Sequence, residues 1–157
     1  MAVRDFESGK STPEEFAKAL LGEFPIPVES KEFLAEFGSW LLGKYPGVDE
    51  MLIDLGNSYR IACFSNTNQI HWPKIRDEFG FGNLFHDYFV SYKMGLLKPD
   101  KEAFSYVIES LDCPADSILF FDDNQINVQA SCEMGINAIC VSCPDELNEA
   151  LCRLELM

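Results

Sequence analysis

Three stretches of the chain carry side chains whose types and spacing could do chemistry. Residues 118–123 read Ile-Leu-Phe-Phe-Asp-Asp, an apolar run that ends in two adjacent carboxylates. A buried strand of that kind sets hard oxygen ligands at the carboxyl edge of a sheet, where open α/β folds keep their sites. The same letters also suit a strand followed by an Asp-Asp-Asn turn, because Asp and Asn favour turns for local reasons. Residues 60–68 read as a strand that runs out into Ser65, Asn66, Thr67 and Asn68. Hydroxyl and backbone N–H groups at such an exit can hold a phosphate without adding charge, or simply build a polar turn. Lys98 lies in the loop 94–100, followed by Pro99. There it could neutralise a phosphate, hold a carboxylate, or remain a solvated loop cation. The order is more informative than any single piece: a strand with Ser-Asn, then Lys-Pro, then a strand with Asp-Asp and Asn127 beyond it.

The elements that must position these groups follow from capping and periodicity. Ser11, Thr12, Pro13, Glu14 and Glu15 mark a helix start, with a hydroxyl cap, Pro in the first turn and early acids. Phe16, Leu20 and Leu21 follow at helical spacing, and Pro25 and Pro27 break the pattern. A second helix is expected over 30–42, with Phe33, Phe37 and Leu41 on one face and Trp40 beside them. A joint at 43–47 precedes a helix over 49–58 and a short strand over 60–64. Helical residues 73–79 and a turn at Gly80 and Gly82 lead to a strand near 88–91. A helix over 101–111, the Asp-Asp strand, a helix over 128–134 and a strand over 137–141 complete the reading. From residue 49 onward the alternation predicts a parallel sheet with helices on its faces. Residues 1–46 are helical only, so the expected division is a helical layer at 1–46 and an α/β core at 47–157.

Composition narrows the class. The 157 residues suffice for one domain, or one domain with a small helical appendage. The 47% apolar and 13% aromatic shares are those of a chain with a packed core. A net charge of −14, from 26 acidic against 12 basic residues, argues against nucleic acid and anionic membrane as partners. It also makes any phosphate site depend on a local cation. No run of 18 apolar residues is present to span a bilayer, and residues 1–10 are too charged for a secretory signal. A cytoplasmic protein is expected. Of the six cysteines, Cys140 and Cys143 have C-x-x-C spacing, but neither a second pair nor a nearby histidine accompanies them. Small buried thiols in a reducing compartment are the expectation. His71 could line a substrate entrance or pack beneath the Ser-Asn loop, and His86 reads as a turn histidine more readily than a base.

With these motifs in register, the chain resembles the haloacid-dehalogenase-like (HAD) hydrolases, a superfamily made up mainly of magnesium-dependent phosphatases. Ser65 matches the second family motif, Lys98 the third, and Asp122-Asp123 with Asn127 the fourth. The wording of residues 64–68, 95–99 and 120–124 is most similar to the glucose-1-phosphatase-like branch, and residues 6–11 resemble its cap helices. The resemblance implies a Rossmann-like α/β core with a small helical cap. It implies that Ser65 hydrogen-bonds the transferring phosphoryl group, with the Asn66 backbone helping. Lys98 would pair with that phosphate and with the attacking carboxylate. Asp123 would bind Mg²⁺, with Asp122 as a second acidic partner and Asn127 in support. The implied reaction is hydrolysis of a small phosphorylated metabolite, such as a sugar phosphate, through an aspartyl-phosphate.

One family part is not legible in this sequence. The attacking aspartate follows the first strand in these enzymes, and nothing before residue 49 reads as a buried strand ending in Asp. Asp54, in Ile-Asp-Leu-Gly-Asn, imitates the motif, but Ser65 follows it by only 11 residues, an interval too short for a helix and a cap. Gly56 fits a helix end there instead. Asp5 follows too short and polar a stretch. The chain taken alone is therefore expected to be inactive, and a non-catalytic phosphate-binding or scaffold module is the alternative. In this fold the first strand lies between the strands ending at Phe64 and Phe121. Its loss leaves three expectations: closure of those strands on each other, a strand donated by another chain or copy, or an incomplete copy of a longer protein. A dehalogenase is a lesser reading, disfavoured by the acidic pair.

Overall fold

The computed structural model describes residues 1–24 and 26–157. Pro25, half of the expected Pro-x-Pro break, lies outside them. The chain forms two compact units, Met1–Leu97 and Lys98–Met157.

The first unit opens with helices α1 (Ala2–Glu7), α2 (Pro13–Glu23), α3 (Ser30–Ser39) and α4 (Val48–Ser58). Helix α2 starts where the capping signals place it. Glu15 N–H donates to Thr12 Oγ1 at 3.2 Å, and Thr12 N–H donates to Glu15 Oε2 at 2.8 Å, a reciprocal capping box. The helical layer is cemented by aromatic side chains. Phe6, Phe16, Ala17 and Phe33 are buried together, with Phe37, Leu20, Leu21 and Ile70 packed on them. The Phe6 and Phe16 rings stack at 4.4 Å. Helix α1 escapes the sequence reading because six residues, Ala-Val-Arg-Asp-Phe-Glu, are too few to show a period. The turn after it is tight at Gly9, whose φ is +69° and whose Cβ position lies 2.3 Å from the Tyr92 carbonyl oxygen. Only glycine satisfies both conditions.

Strands β1 (Ala62–Ser65) and β2 (Asp87–Val90) pair in parallel, in the register Ala62↔Asp87 to Ser65↔Val90. Between them lie the short α5 (His71–Pro73), a π turn over Lys74–Glu78 and a 3₁₀ turn over Phe81–Asn83. The helix expected over 73–79 thus begins two residues earlier and widens to π geometry. A short α6 (Ser91–Met94) follows β2 directly. At the outer end of this ladder, the Arg60 guanidinium grips Asp87 at 2.7 and 2.9 Å and holds its carboxyl below the usual carboxylate range.

The second unit contains α7 (Lys101–Leu111), β3 (Leu119–Asp122), α8 (Gln125–Glu133), β4 (Asn137–Cys140) and α9 (Pro144–Arg153). Strands β3 and β4 pair in parallel from Leu119↔Asn137 to Asp122↔Cys140. Ala103, Phe104 and Val107 of α7, Val128 of α8, and Ala150 and Leu151 of α9 supply buried apolar side chains. Helix α9 was not anticipated from the sequence, although Pro144 at its first turn, Asp145 and Glu146 early and Arg153 late are ordinary helix signals. One expectation is corrected. None of the six free thiols is fully buried, and Cys132 and Cys152 are exposed, each on the outer part of a surface helix. Each unit therefore holds one parallel strand pair with helices, an α/β architecture in which the Ser-Asn and Asp-Asp segments both lie at carboxyl strand ends.

Candidate functional site

The buried centre of the second unit is Asp122, the last residue of β3. Lys98 Nζ lies 2.6 Å from Asp122 Oδ2, with the two side chains only 7% and 6% exposed. Asp122 Oδ1 accepts from Asn124 N–H and from Asn127 Nδ2, both at 2.9 Å. A buried ion pair holds together only where such extra hydrogen bonds offset its desolvation, and here they do. The Lys98 ammonium also lies 5.3 Å from the Phe120 ring centroid, within cation–π range.

Local sequence explains the arrangement. Asn124 caps α8, accepting from Ile126 N–H at 2.9 Å, so the chain turns sharply at the strand exit. The first turn of α8 then brings Asn127, itself buried, back over the Asp122 carboxylate. Asp123, one residue past the strand, is exposed. The structure thus brings Lys98, Asp122 and Asn127 together and makes Asp122 their hub.

An ionised carboxylate offers about four lone-pair directions. Two on Oδ1 and one on Oδ2 are taken, which leaves one on Oδ2, and Asp123, the next residue in the chain, is exposed. Among the described residues no group of three or more His, Cys, Asp or Glu gathers as a closed metal cage. Two carboxylates fit Mg²⁺, which keeps several waters and takes its remaining oxygens from a phosphate. They are a poor match for a structural metal needing a full protein shell.

In the first unit, Ser65 closes β1, and the loop beyond it is firmly held. Thr67 N–H donates to Ser91 Oγ at 2.9 Å. The Ser91 hydroxyl hydrogen is shared between the carbonyls of Glu7 at 2.7 Å and Thr67 at 2.8 Å. Asn68 Oδ1 accepts from the main-chain N–H groups of Ile70 and His71, each at 3.0 Å. The Ser65 hydroxyl has one long contact, 3.5 Å to the Asn66 carbonyl. Such a loop presents Ser65 and Asn66 from a fixed base, as anion recognition requires. Ser91, fully buried, is a residue sequence reasoning missed. A serine at a strand exit carries no signal until its partners, 24 and 84 residues away, are known.

The histidines are resolved as packing groups. His71 stacks on Phe37 at 4.4 Å, its Nε2 meets the Phe37 carbonyl at 2.8 Å and its Nδ1 meets Asn68 Nδ2 at 3.2 Å. A carbonyl only accepts, so Nε2 carries the hydrogen and Nδ1 accepts from the amide. His86 Nδ1 accepts from Ile61 N–H at 3.1 Å, a turn role. Asp54 lies exposed on α4 and Asp5 lies in α1, so neither follows a strand.

Comparison with known proteins identifies the family. Residues 3–135 match the model of the haloacid dehalogenase-like hydrolase family. The chain belongs to that family. A D-ribitol-5-phosphate phosphatase of Bacteroides thetaiotaomicron is 28% identical over 145 residues, covering 84% of this chain and 67% of the relative. A HAD family enzyme of the same organism, crystallised with magnesium and inorganic phosphate, superposes with a TM-score of 0.79. It shares 27% identity, with 89% of this chain and 74% of that one covered. A predicted HAD-like hydrolase of Porphyromonas gingivalis gives a TM-score of 0.81 at 23% identity, covering 96% and 77% of the two chains, and supports the fold. The chain spans about two thirds of the length of its curated phosphatase relative.

Proposed function

We propose that this chain is the phosphate- and magnesium-handling body of a HAD phosphomonoester hydrolase acting on a small phosphorylated metabolite, a sugar or polyol phosphate, in the cytoplasm. The observation that carries the reading is the buried Lys98–Asp122–Asn127 cluster with exposed Asp123 beside it. In this reading residues 1–46 are the cap and 47–157 the core. Ser65 and the Asn66 N–H donate to phosphoryl oxygens. Lys98, steered by Asp122, neutralises charge that grows on the phosphoryl group, and Asn127 keeps the Asp122 carboxylate in place. Asp123 and Asp122 hold Mg²⁺, which supplies charge neutralisation at the phosphoryl oxygens when bound.

Attack on phosphorus in this family belongs to an aspartate that follows the first strand and becomes phosphorylated. Among the described residues the first strand is β1, and it ends in Ser65. The 157 residues taken alone therefore bind phosphate and Mg²⁺ without turnover. A strand donated by a second copy or a partner chain restores activity. That same observation favours a second reading, a non-catalytic binding module.

Hydrolysis of an aryl phosphate, with and without Mg²⁺ and with Asp123→Asn as control, tests the proposal. Calorimetric binding of Mg²⁺ and phosphate is measured in parallel. Binding without turnover is expected. Metal-dependent turnover abolished in Asp123→Asn would mean that an attacking group exists within the chain, and would overturn the inactivity. Absence of both binding and turnover would overturn the site. Fusing a strand that ends in Asp ahead of residue 1 separates the two readings, since only a phosphatase body then gains turnover.

A further inference from the structure

Register decides which residue after β2 meets the loop after β1. Ser65 pairs with Val90, so the next step along the parallel ladder carries Ser91 to the loop that Ser65 opens. Ser91 is fully buried, and its hydroxyl hydrogen is spent inside the protein. The oxygen accepts from Thr67 N–H at 2.9 Å, while its single hydrogen is shared between the carbonyls of Thr67 at 2.8 Å and Glu7 at 2.7 Å. One side chain thus closes both main-chain groups of Thr67 and ties them to the end of α1. Thr67 and Asn68 are buried as well, so water offers no ready replacement for those partners. Other ties act further along the loop. Asn68 Oδ1 accepts from Ile70 and His71 N–H, and Gln69 Nε2 donates to the Ser11 carbonyl at 3.1 Å. The Ser91 contact acts at Thr67, next to Asn66 in the chain.

We infer that Ser91 is the positioning residue of the phosphate loop: its hydroxyl sets where the Ser65 hydroxyl and the Asn66 N–H stand, and so sets phosphate affinity without touching phosphate. The inference rests on the phosphatase reading, because it takes Ser65 and Asn66 as the phosphate end. Anion recognition by a hydroxyl and a main-chain N–H depends on both being held in place before the ligand arrives. Without the Ser91 hydroxyl, the buried Thr67 N–H loses its acceptor and two carbonyls lose a donor. That cost is relieved when the loop shifts until other partners are found, and the shift moves Ser65 and Asn66 with it. Asp122 and Asp123, the residues proposed for Mg²⁺, belong to the other unit and to a different strand exit. The loss is therefore expected for phosphate and not for the metal.

The test is calorimetric binding of inorganic phosphate and, separately, of Mg²⁺ to the wild type, Ser91→Ala, Ser91→Cys, Ser65→Ala and Leu52→Ala. Leu52, buried on α4, gives a control that lowers the melting temperature by leaving a cavity and keeps the Ser91 contacts in place. In Ser91→Ala we expect phosphate affinity to fall roughly tenfold, the value of a hydrogen bond lost from the loop. Its Mg²⁺ affinity stays within about twofold, as does the phosphate affinity of Leu52→Ala. Ser91→Cys, with a weaker donor and acceptor, loses about threefold, and it carries the test if Ser91→Ala does not fold. Amide exchange gives a check that needs no variant: Thr67 N–H of the wild type is expected to exchange slowly. Phosphate affinity unchanged in the Ser91 variants, or an equal loss in Leu52→Ala, overturns the inference. So does a parallel loss of Mg²⁺ affinity, or fast exchange at Thr67. In each of those cases phosphate binding that falls in Ser65→Ala leaves the phosphatase reading standing. If no phosphate binds the wild type, or Ser65→Ala binds it equally well, both fall together.

Discussion

At the scale of single residues, two carboxylates at the same strand exit have opposite energetic roles. Asp122 is bound by a buried ammonium and two N–H donors, so Asp122→Ala leaves Lys98 buried without its counter-ion. A loss of about 3–5 kcal/mol in urea unfolding is expected. Asp123→Asn, at an exposed position, is expected to stay within about 0.5 kcal/mol of the wild type while weakening Mg²⁺ binding. Glu7 gives a pH-dependent counterpart. Its folded carboxyl is raised, so the folded state favours the protonated form, and the associated stability is lost as pH rises through that raised value. Glu7→Gln should therefore raise the melting temperature at pH 7, with the difference vanishing below about pH 4. A lower melting temperature for the variant at pH 7 would mean that a donor offsets the burial of Glu7. The residues of the Lys98 cluster were legible in the sequence because carboxylates, lysine and amides announce chemistry by type. Ser91 was not, since its role comes from burial and long-range contact.

At the scale of elements, local signals located most boundaries and failed where packing overrides them. The capping box of α2 was readable from Thr12 and Glu15, and Thr12→Ala should cost about 1 kcal/mol of stability, measured by thermal or urea unfolding. Helix α1 was not readable. Six residues form it because Phe6 is buried against Phe16 and Phe37, a tertiary cause that no local window contains. Phe16→Ala, which removes a ring from the centre of that cluster, should cost about 3–5 kcal/mol. The widened turn at Lys74–Glu78 belongs to the same class of surprise, since its letters fit an ordinary helix. Strand positions were recovered to within two residues, because an apolar run bounded by Ser-Asn or Asp-Asp has sharp ends.

At the scale of the whole molecule, charge and a single lysine pull in opposite directions on a phosphate ligand. The net −14 repels an anion over distances that salt screens well, whereas Lys98, in the proposed phosphate site, would act at contact, where salt screens little. Raising ionic strength from roughly 0.02 to 0.2 M should therefore tighten phosphate-ester binding, and calorimetry at the two salt levels checks this. The α/β class and the order of the motifs were visible in the sequence. The two-unit division at Leu97 was not, because hydrophobic patterning reports which residues are buried and not which cluster buries them.

That division has a consequence in time. Each parallel pair closes over a short interval, Ala62 with Asp87 and Leu119 with Asn137, so each sheet needs only residues of its own unit. On the ribosome, at about 5–20 residues per second, the last 60 residues take roughly 3–12 s to make. The helical layer, the β1–β2 ladder and the Ser91 clasp can all be in place before the last residues of the second unit have been translated.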